Sequence, residues 1–288
     1  MKLKGKKILV TGHNGFVGKN LVKELERRDA QVVTLQDENK KRIDIRNWQK
    51  IKDIDNLDMI YHLAALTYVP FSFENPRKTY EVNVSGTLNM LELGRLNNIE
   101  KFIFMSSYVY GKPHYLPINE KHPINPLNPY AKSKVMGENL CKSYNKDFNL
   151  NCIIFRPFNI YGNNQNSNFL IPSIIKQLKV GKIKLKDPEP KRDFLHLIDL
   201  IDALIKAGKY NEKFNVFNLG YGKSYSVKQI VDKIIDIYGK DIDVKYTGEK
   251  RKNEIMNTVA DTKKINKKLG WTPHVTLDKG LNTILNKI

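Results

Sequence analysis

Cysteine is almost absent from this chain: there are two in 288 residues, Cys141 and Cys152, with no Cys-x-x-Cys spacing. That excludes a disulfide framework and a thiolate metal site, and both thiols are expected to be buried and reduced. His62 has no second histidine or carboxylate at a metal-binding interval, so it reads as a packed core residue and no metal is expected. No apolar run approaches the roughly 20 residues that cross a bilayer. The N-terminal Met1-Lys2-Leu3-Lys4-Gly5-Lys6-Lys7 passes straight into a short strand without a signal-peptide core. A cytoplasmic chain without a membrane partner is expected. Acidic residues are scarce beside basic ones, 30 against 49, which gives a net charge of +19. The lysines are scattered through almost every segment, with no aromatic-interleaved or zinc-finger motif. Such a distribution argues against nucleic acid and for attraction of anionic small molecules.

What is present is an alternation of short apolar runs and helical patterns. Lys6 to Thr11 reads as a buried parallel strand. It ends in Gly12-His13-Asn14-Gly15-Phe16-Val17-Gly18, after which Val17, Leu21, Val22 and Leu25 recur at helical spacing. A glycine turn between strand and helix aims backbone N–H groups and a positive helix end at a pyrophosphate. Gly12, Asn14, Gly15, Phe16, Val17 and Gly18 are therefore candidate cofactor contacts. Val32 to Leu35 is a second strand, ending at Gln36 and Asp37, where an acid can bind the adenosine ribose. Either Asp37 takes the ribose hydroxyls, favouring NAD, or Gln36 leaves room for a 2′-phosphate neutralised by Lys40, Lys41 or Arg42, favouring NADP. The dinucleotide expected is one of these, NAD by a small margin.

Ile43-Asp44-Ile45 reads as a third strand and Asp58 to Ala65 as a fourth. Asp44, Ile45 and the strand end Leu63, Ala64 and Ala65 count among the cofactor contacts, the small residues allowing close approach. A helical pattern covers about Pro76 to Leu96, and Lys101 to Met105 is a fifth strand. The whole predicts an α/β fold, a Rossmann-type doubly wound parallel sheet with a smaller C-terminal α/β substrate-binding region. Residues 1–155 are expected mainly in the dinucleotide domain and 156–288 mainly in the substrate region, with the chain crossing between them.

The fifth strand leads into Ser106-Ser107-Tyr108-Val109-Tyr110-Gly111, and side chains at the carboxyl ends of such strands face the cleft. A Pro- and Asn-rich loop, Lys112 to Pro129, then delivers Tyr130 at a helix start, with Lys134 one turn later. A phenol and an ammonium at i, i+4 share a helix face. A fixed ammonium favours the phenolate, lowering a pKa that starts near about 10. Ser106, Tyr130 and Lys134 are the candidate catalytic residues.

With Thr-Gly-x-x-Gly-Phe-x-Gly at 11–18, Ser106 ahead of Tyr110-Gly111, and Tyr130-x-x-x-Lys134, the chain resembles the extended short-chain dehydrogenase/reductases that modify nucleotide sugars. The resemblance runs nearly end to end. Asn83-Val84-Ser85-Gly86-Thr87 is similar to a family segment whose Asn supports the active site, and Asn83 is counted with the cofactor contacts, as is Pro157. In Arg156-Pro157-Phe158-Asn159-Ile160-Tyr161-Gly162, Asn159 matches the residue that faces the sugar diphosphate. Arg192 in Lys191-Arg192-Asp193-Phe194 and Arg251 match phosphate-binding arginines, since guanidinium suits phosphate geometry. The resemblance adds Ser106, Ser107 and Asn168, from the loop between Asn163 and Phe169, to the substrate contacts. Leu269-Gly270-Trp271-Thr272-Pro273 resembles a closing element expected to pack the small domain, with Trp271 in its core.

The resemblance implies a nucleotide-diphosphate sugar as substrate and hydride chemistry at a sugar carbon. Tyr130 would exchange the proton, Ser106 would hold the oxygen, and Lys134 would bind the cofactor ribose. A 4-epimerase working through a 4-keto intermediate is the leading expectation, with an NADPH-dependent 4-keto-6-deoxy sugar reductase as the alternative. A 4,6-dehydratase is disfavoured because Ser107 and Tyr108 stand where that branch has an acid. A dinucleotide-binding scaffold is the non-enzyme alternative. A homodimer is expected through the helices near Pro76 to Leu96 and Tyr130 to Tyr144.

Overall fold

The protein is described by a computed structural model covering residues 3–250 and 254–286. Its strands are β1 (Lys7–Thr11), β2 (Gln31–Val33), β3 (Met59–His62), β4 (Lys101–Met105), β5 (Cys152–Pro157), β6 (Asn159–Tyr161), β7 (Lys182–Leu185), β8 (Lys191–His196), β9 (Phe214–Leu219), β10 (Ser224–Ser226) and β11 (Asp243–Tyr246). The largest sheet runs β2-β1-β3-β4-β5-β9. Its pairings β1 with β2, β1 with β3, β3 with β4 and β4 with β5 are all parallel. Ile8, Leu9 and Val10 in β1 and Phe102, Ile103 and Phe104 in β4 are wholly buried. Strands covered by helices on both faces show such unbroken apolar runs. From β1 the chain moves outward to β2 and returns on the other side as β3. The strand order therefore reverses beside β1, and ligands of open α/β sheets bind at the carboxyl ends around such a point.

The expected strand Ile43-Asp44-Ile45 does not form. Asp44 Oδ1 accepts from Arg46 N at 2.9 Å, and the Ile45 carbonyl accepts from the Asn89 amide at 2.9 Å, so these groups are withdrawn from a ladder. Only the antiparallel bridge between Gln36 and Arg42 remains, and the runs read as fourth and fifth strands are β3 and β4. The long helical pattern is also interrupted. Helices Pro76–Tyr80 and Gly86–Leu96 flank a π-helical turn over Glu81–Ser85 that contains Asn83. Such a turn re-aims side chains within a helix and is frequent at functional sites.

Two compact units divide the chain. One holds residues up to Gly111 with Pro123–Pro157 and Ile201–Phe217; the other holds Lys112–His122, Phe158–Leu200 and the chain from Asn218 onward. The second contains the sheet β10-β8-β6 and the parallel pair β11-β7. Its core includes Ile174, Ile183, Ile230, Ile234 and Leu281. Trp271 is fully buried there, with its indole N–H donating to the Asp199 carbonyl at 3.0 Å. Cys141 and Cys152 are buried free thiols in the first unit.

Candidate functional site

The site begins where β1 ends. Gly12 has φ +71°, and a Cβ there would lie 2.9 Å from Ala64 N; a Cβ on Gly18 would lie 2.1 Å from Gly12 O. Only glycine fits either place, which leaves a bare backbone cradle. The helix Phe16–Glu26 starts at Gly15 without a side-chain cap, so its first N–H groups remain available to a phosphate. Asn14 and Gly15 are exposed, and Phe16, Val17, Leu63, Ala64 and Ala65 are partly exposed around the turn.

A chain of buried hydrogen bonds ties this turn to the rest of the unit. Thr11 Oγ1 accepts from the N–H groups of Leu63 and Ala64, each at 3.1 Å, and meets His62 Nδ1 at 2.8 Å. His62 Nε2 meets Thr87 Oγ1 at 2.9 Å, and the Thr87 hydroxyl donates to the Asn83 carbonyl at 2.7 Å. With the Thr87 proton so committed, the network assigns N–H to His62 Nε2 and leaves Nδ1 as acceptor. Burial pushes the His62 pKa down to about 3, which keeps the ring neutral. It is a core histidine, as its sequence setting suggested. Asn83 has spent its amide: it accepts from Leu66 N at 2.8 Å and donates to the Leu66 carbonyl and to Ser133 Oγ at 3.0 and 2.9 Å. It therefore positions backbone and helix, with no free polar atom for a cofactor.

Helix Pro129–Phe148 presents the proton-transfer residues. Asn128 caps it by accepting from Ala131 N at 2.8 Å, and Pro129 needs no partner at the first position. Tyr130, Lys134 and Glu138 then follow on successive turns. A Cβ on Gly137 would come 2.6 Å from the Phe104 ring, so this helix lies directly on β4. Lys134 is 2% exposed, with its ammonium 4.8 Å from the centre of that ring. Desolvation brings its pKa down to about 8. The Tyr130 phenol is raised by burial, and a hydrogen bond with Ser107 works in the opposite direction. The expectation that Lys134 lowers the phenol's pKa is thus corrected for this arrangement. The ammonium packs on Phe104 and Lys134 is not among the groups acting on Tyr130.

The two serines are separated by the structure. Ser106 is 2% exposed, and its hydroxyl donates to Glu138 Oε1 at 2.5 Å. The same carboxylate accepts from Arg156 Nε and Nη2 at 2.9 and 2.5 Å, and Arg156 Nη1 donates to the Tyr110 hydroxyl at 3.0 Å. Ser106 belongs to this buried network, and Ser107, partly exposed, is the serine that acts on the Tyr130 phenol. Sequence reasoning passed over Glu138, although its spacing one turn beyond Lys134 was visible.

At the ribose corner, Asp37 Oδ1 accepts from the N–H groups of Asn39 and Lys41 at 3.0 and 2.8 Å, which folds the carboxylate into its own loop. Asp44 is held by the Arg46 guanidinium. Ile45 is in the hydrophobic core, and Pro157 is buried at the end of β5. In the second unit, Asn159 and Asn168 are exposed. Arg192 is engaged with the Glu254 carboxylate and donates to the carbonyls of Ile255 and Lys191 at 2.5 and 2.8 Å. A diphosphate would have to displace the Glu254 contact. Arg251 lies outside the described residues.

A backbone cradle at the strand reversal, an uncapped helix start and a Tyr-Lys pair with a serine on the phenol together fit a dinucleotide. Residues 8–220 match the profile of the NAD dependent epimerase/dehydratase family. The chain belongs to that family. It is 32% identical to a UDP-glucose 4-epimerase of Lactobacillus helveticus, covering 96% of this chain and 95% of that protein. It is 29% identical to a GDP-6-deoxy-D-mannose reductase of Pseudomonas aeruginosa, over 97% and 96% of the two chains. The solved structure of RMD from Pseudomonas aeruginosa complexed with NADPH superposes with a TM-score of 0.89 at 28% identity, over 98% of each chain. This chain is therefore an NAD(P)-dependent enzyme of the extended dehydrogenase/reductase type. Among the described residues no helix is long and apolar enough to cross a membrane.

Proposed function

We propose that this family member is a nucleotide-diphosphate-sugar 4-epimerase, with an NDP-hexose as substrate. The observation that carries the reading is the phenol of Tyr130, bonded to Ser107 and one helical turn from Lys134. Tyr130 takes the proton from the sugar 4-hydroxyl and returns it to the 4-keto oxygen. Ser107 holds that oxygen, and Ser106 and Glu138 fix the backbone beneath it. Lys134, with its pKa near 8, is mostly protonated at neutral pH and stands one helical turn from the phenol. A nicotinamide dinucleotide held on the Gly12 to Gly18 turn supplies the hydride acceptor and donor. Ser107 and Tyr108 follow Ser106, so the acid that a 4,6-dehydratase uses has no counterpart there.

Incubation with UDP-glucose and no added reductant should yield UDP-galactose, read by proton NMR of the anomeric region. Tyr130→Phe should abolish turnover while dinucleotide binding persists. Full turnover in that variant would sink the mechanism. One observation favours a second reading: both acids of the ribose corner are occupied, as a 2′-phosphorylated cofactor would require. A 4-keto-sugar reductase would consume NADPH stoichiometrically and give no product in its absence. For assembly, the helices Gly86–Leu96 and Pro129–Phe148 carry exposed Leu88, Leu96, Met136 and Phe148, which supports a homodimer. Equilibrium sedimentation giving only monomer mass would dispose of it.

A further inference from the structure

Between Tyr130 and Lys134, on helix Pro129–Phe148, stands a serine that the proton-transfer chemistry leaves unassigned. Ser133 is wholly buried. Its hydroxyl donates to the Tyr130 carbonyl at 2.7 Å and accepts from the Asn83 side-chain amide at 2.9 Å. With its proton and a lone pair both committed, the hydroxyl is held in one orientation.

The far end of this contact leads to the glycine turn. Asn83 lies in the π-helical turn Glu81–Ser85, and its remaining groups hold Leu66: it accepts from Leu66 N at 2.8 Å and donates to the Leu66 carbonyl at 3.0 Å. Three residues earlier, Thr11 Oγ1 holds the N–H groups of Leu63 and Ala64. Ala64 lies against Gly12, close enough that a Cβ on Gly12 would stand 2.9 Å from its nitrogen. Residues 63–66 are therefore fixed by Thr11 at one end and by Asn83 at the other, and Ser133 joins them to the first turn of the helix that carries Tyr130.

The helix itself has no need of this hydroxyl. A serine bonding back to a carbonyl of its own helix gives no net support and slightly destabilises it. What Ser133 adds is the tie to Asn83. The same unit offers a comparison: Ser72 is 1% exposed and donates to the Val69 carbonyl at 2.7 Å, with no second side-chain partner among the described residues.

We infer that Ser133 is a positioning residue for the proton transfer, setting Tyr130 in register with residues 63–66 beside the glycine turn. The inference rests on the reading of Tyr130 as the proton carrier and extends it to what holds that residue in place. Loss of the hydroxyl keeps the helix but strands one Asn83 N–H and frees the two segments to shift. A shift of about 1 Å at a reacting group costs on the order of a hundredfold in rate.

The wild-type chain, Ser133→Ala and Ser72→Ala are compared by steady-state turnover of UDP-glucose and by hydrogen-exchange mass spectrometry of peptides spanning residues 63–66. Ser133→Ala should lower kcat by about 10- to 100-fold while KM changes less than about threefold. Exchange at the Leu66 amide should quicken by at least about threefold. Ser72→Ala deletes the same kind of intrahelical bond without a tie, and it should leave kcat and exchange within about twofold. An equal fall of kcat in both variants would reduce Ser133 to a general structural group and overturn the inference. So would a Ser133→Ala enzyme with wild-type kcat or wild-type exchange at Leu66. A wild-type chain inert toward UDP-glucose would refute the epimerase reading instead, and the exchange comparison would then decide the tie by itself.

Discussion

Ser106 and Ser107 are adjacent, yet their removal should damage different properties. Ser106 is 2% exposed and donates to Glu138 at 2.5 Å, so Ser106→Ala deletes a buried hydrogen bond to a charged acceptor. Such bonds contribute about 1.5–3 kcal/mol. At roughly 2 °C per kcal/mol for a chain near this size, the melting temperature should fall by about 3–6 °C. Glu138 keeps both Arg156 contacts, so the floor of the site should survive and kcat should change less than about fivefold. Ser107→Ala leaves that network alone and removes the hydroxyl bonded to Tyr130. Loss of one positioned hydrogen bond at a reacting oxygen costs about 10²–10³ in kcat. Thermal unfolding by circular dichroism and turnover on UDP-glucose, measured on the same preparations, separate the two effects. If Ser106→Ala loses a hundredfold in kcat at an unchanged melting temperature while Ser107→Ala remains active, the assignment is reversed and the reasoning fails.

Glu138→Gln would leave the Arg156 guanidinium, whose side chain is 5% exposed, without its counter-charge. Breaking a buried pair in this way destabilises by about 3–5 kcal/mol, to be read from urea unfolding; a change below about 1 kcal/mol would contradict it. Gly18→Ala would drive a Cβ to 2.1 Å from Gly12 O, and dinucleotide affinity should drop more than about tenfold in a fluorescence titration. His62 has a folded-state pKa near 3, below its unfolded value near 6.5, so the neutral form is favoured on folding. Its stabilisation is complete above about pH 6.5 and is lost as pH falls toward 3, an order of about 5 kcal/mol over the full range. His62→Gln should flatten the acid limb of a stability profile between pH 6 and 4, and coincident limbs would argue against this account.

The parallel sheet was legible because β1, β3, β4 and β5 are short apolar runs separated by turn signals or helical patterns, and the glycine turn follows the first of them directly. Ile43-Asp44-Ile45 misled because alternating apolar residues describe a strand only when the backbone is free to pair. Here Asn89 and Arg46, distant or opposite in character, capture its polar groups. Which of the two serines meets the Tyr130 phenol was not legible for a related reason. β4 ends at Met105, and past that point the alternation of side chains between two faces no longer says which hydroxyl reaches the cleft. The state of Lys134 was hidden as well, since it follows from burial in the packed helix, where Gly137 lets Phe104 come close. Sequence spacing gives which face a residue shares, and only packing gives what stands against that face.

The buried run from Thr11 through His62 and Thr87 to Asn83 has one direction of donation throughout. Thr11 already accepts from two N–H groups, so it has only its proton to offer His62. Replacing any one of the three side chains with an apolar residue strands a buried partner at its neighbours, whereas replacing all three together strands far less. These positions are therefore expected to change as a set in descendants of this sequence: single substitutions at Thr11, His62 or Thr87 should be poorly tolerated, and an apolar triple should outlast them.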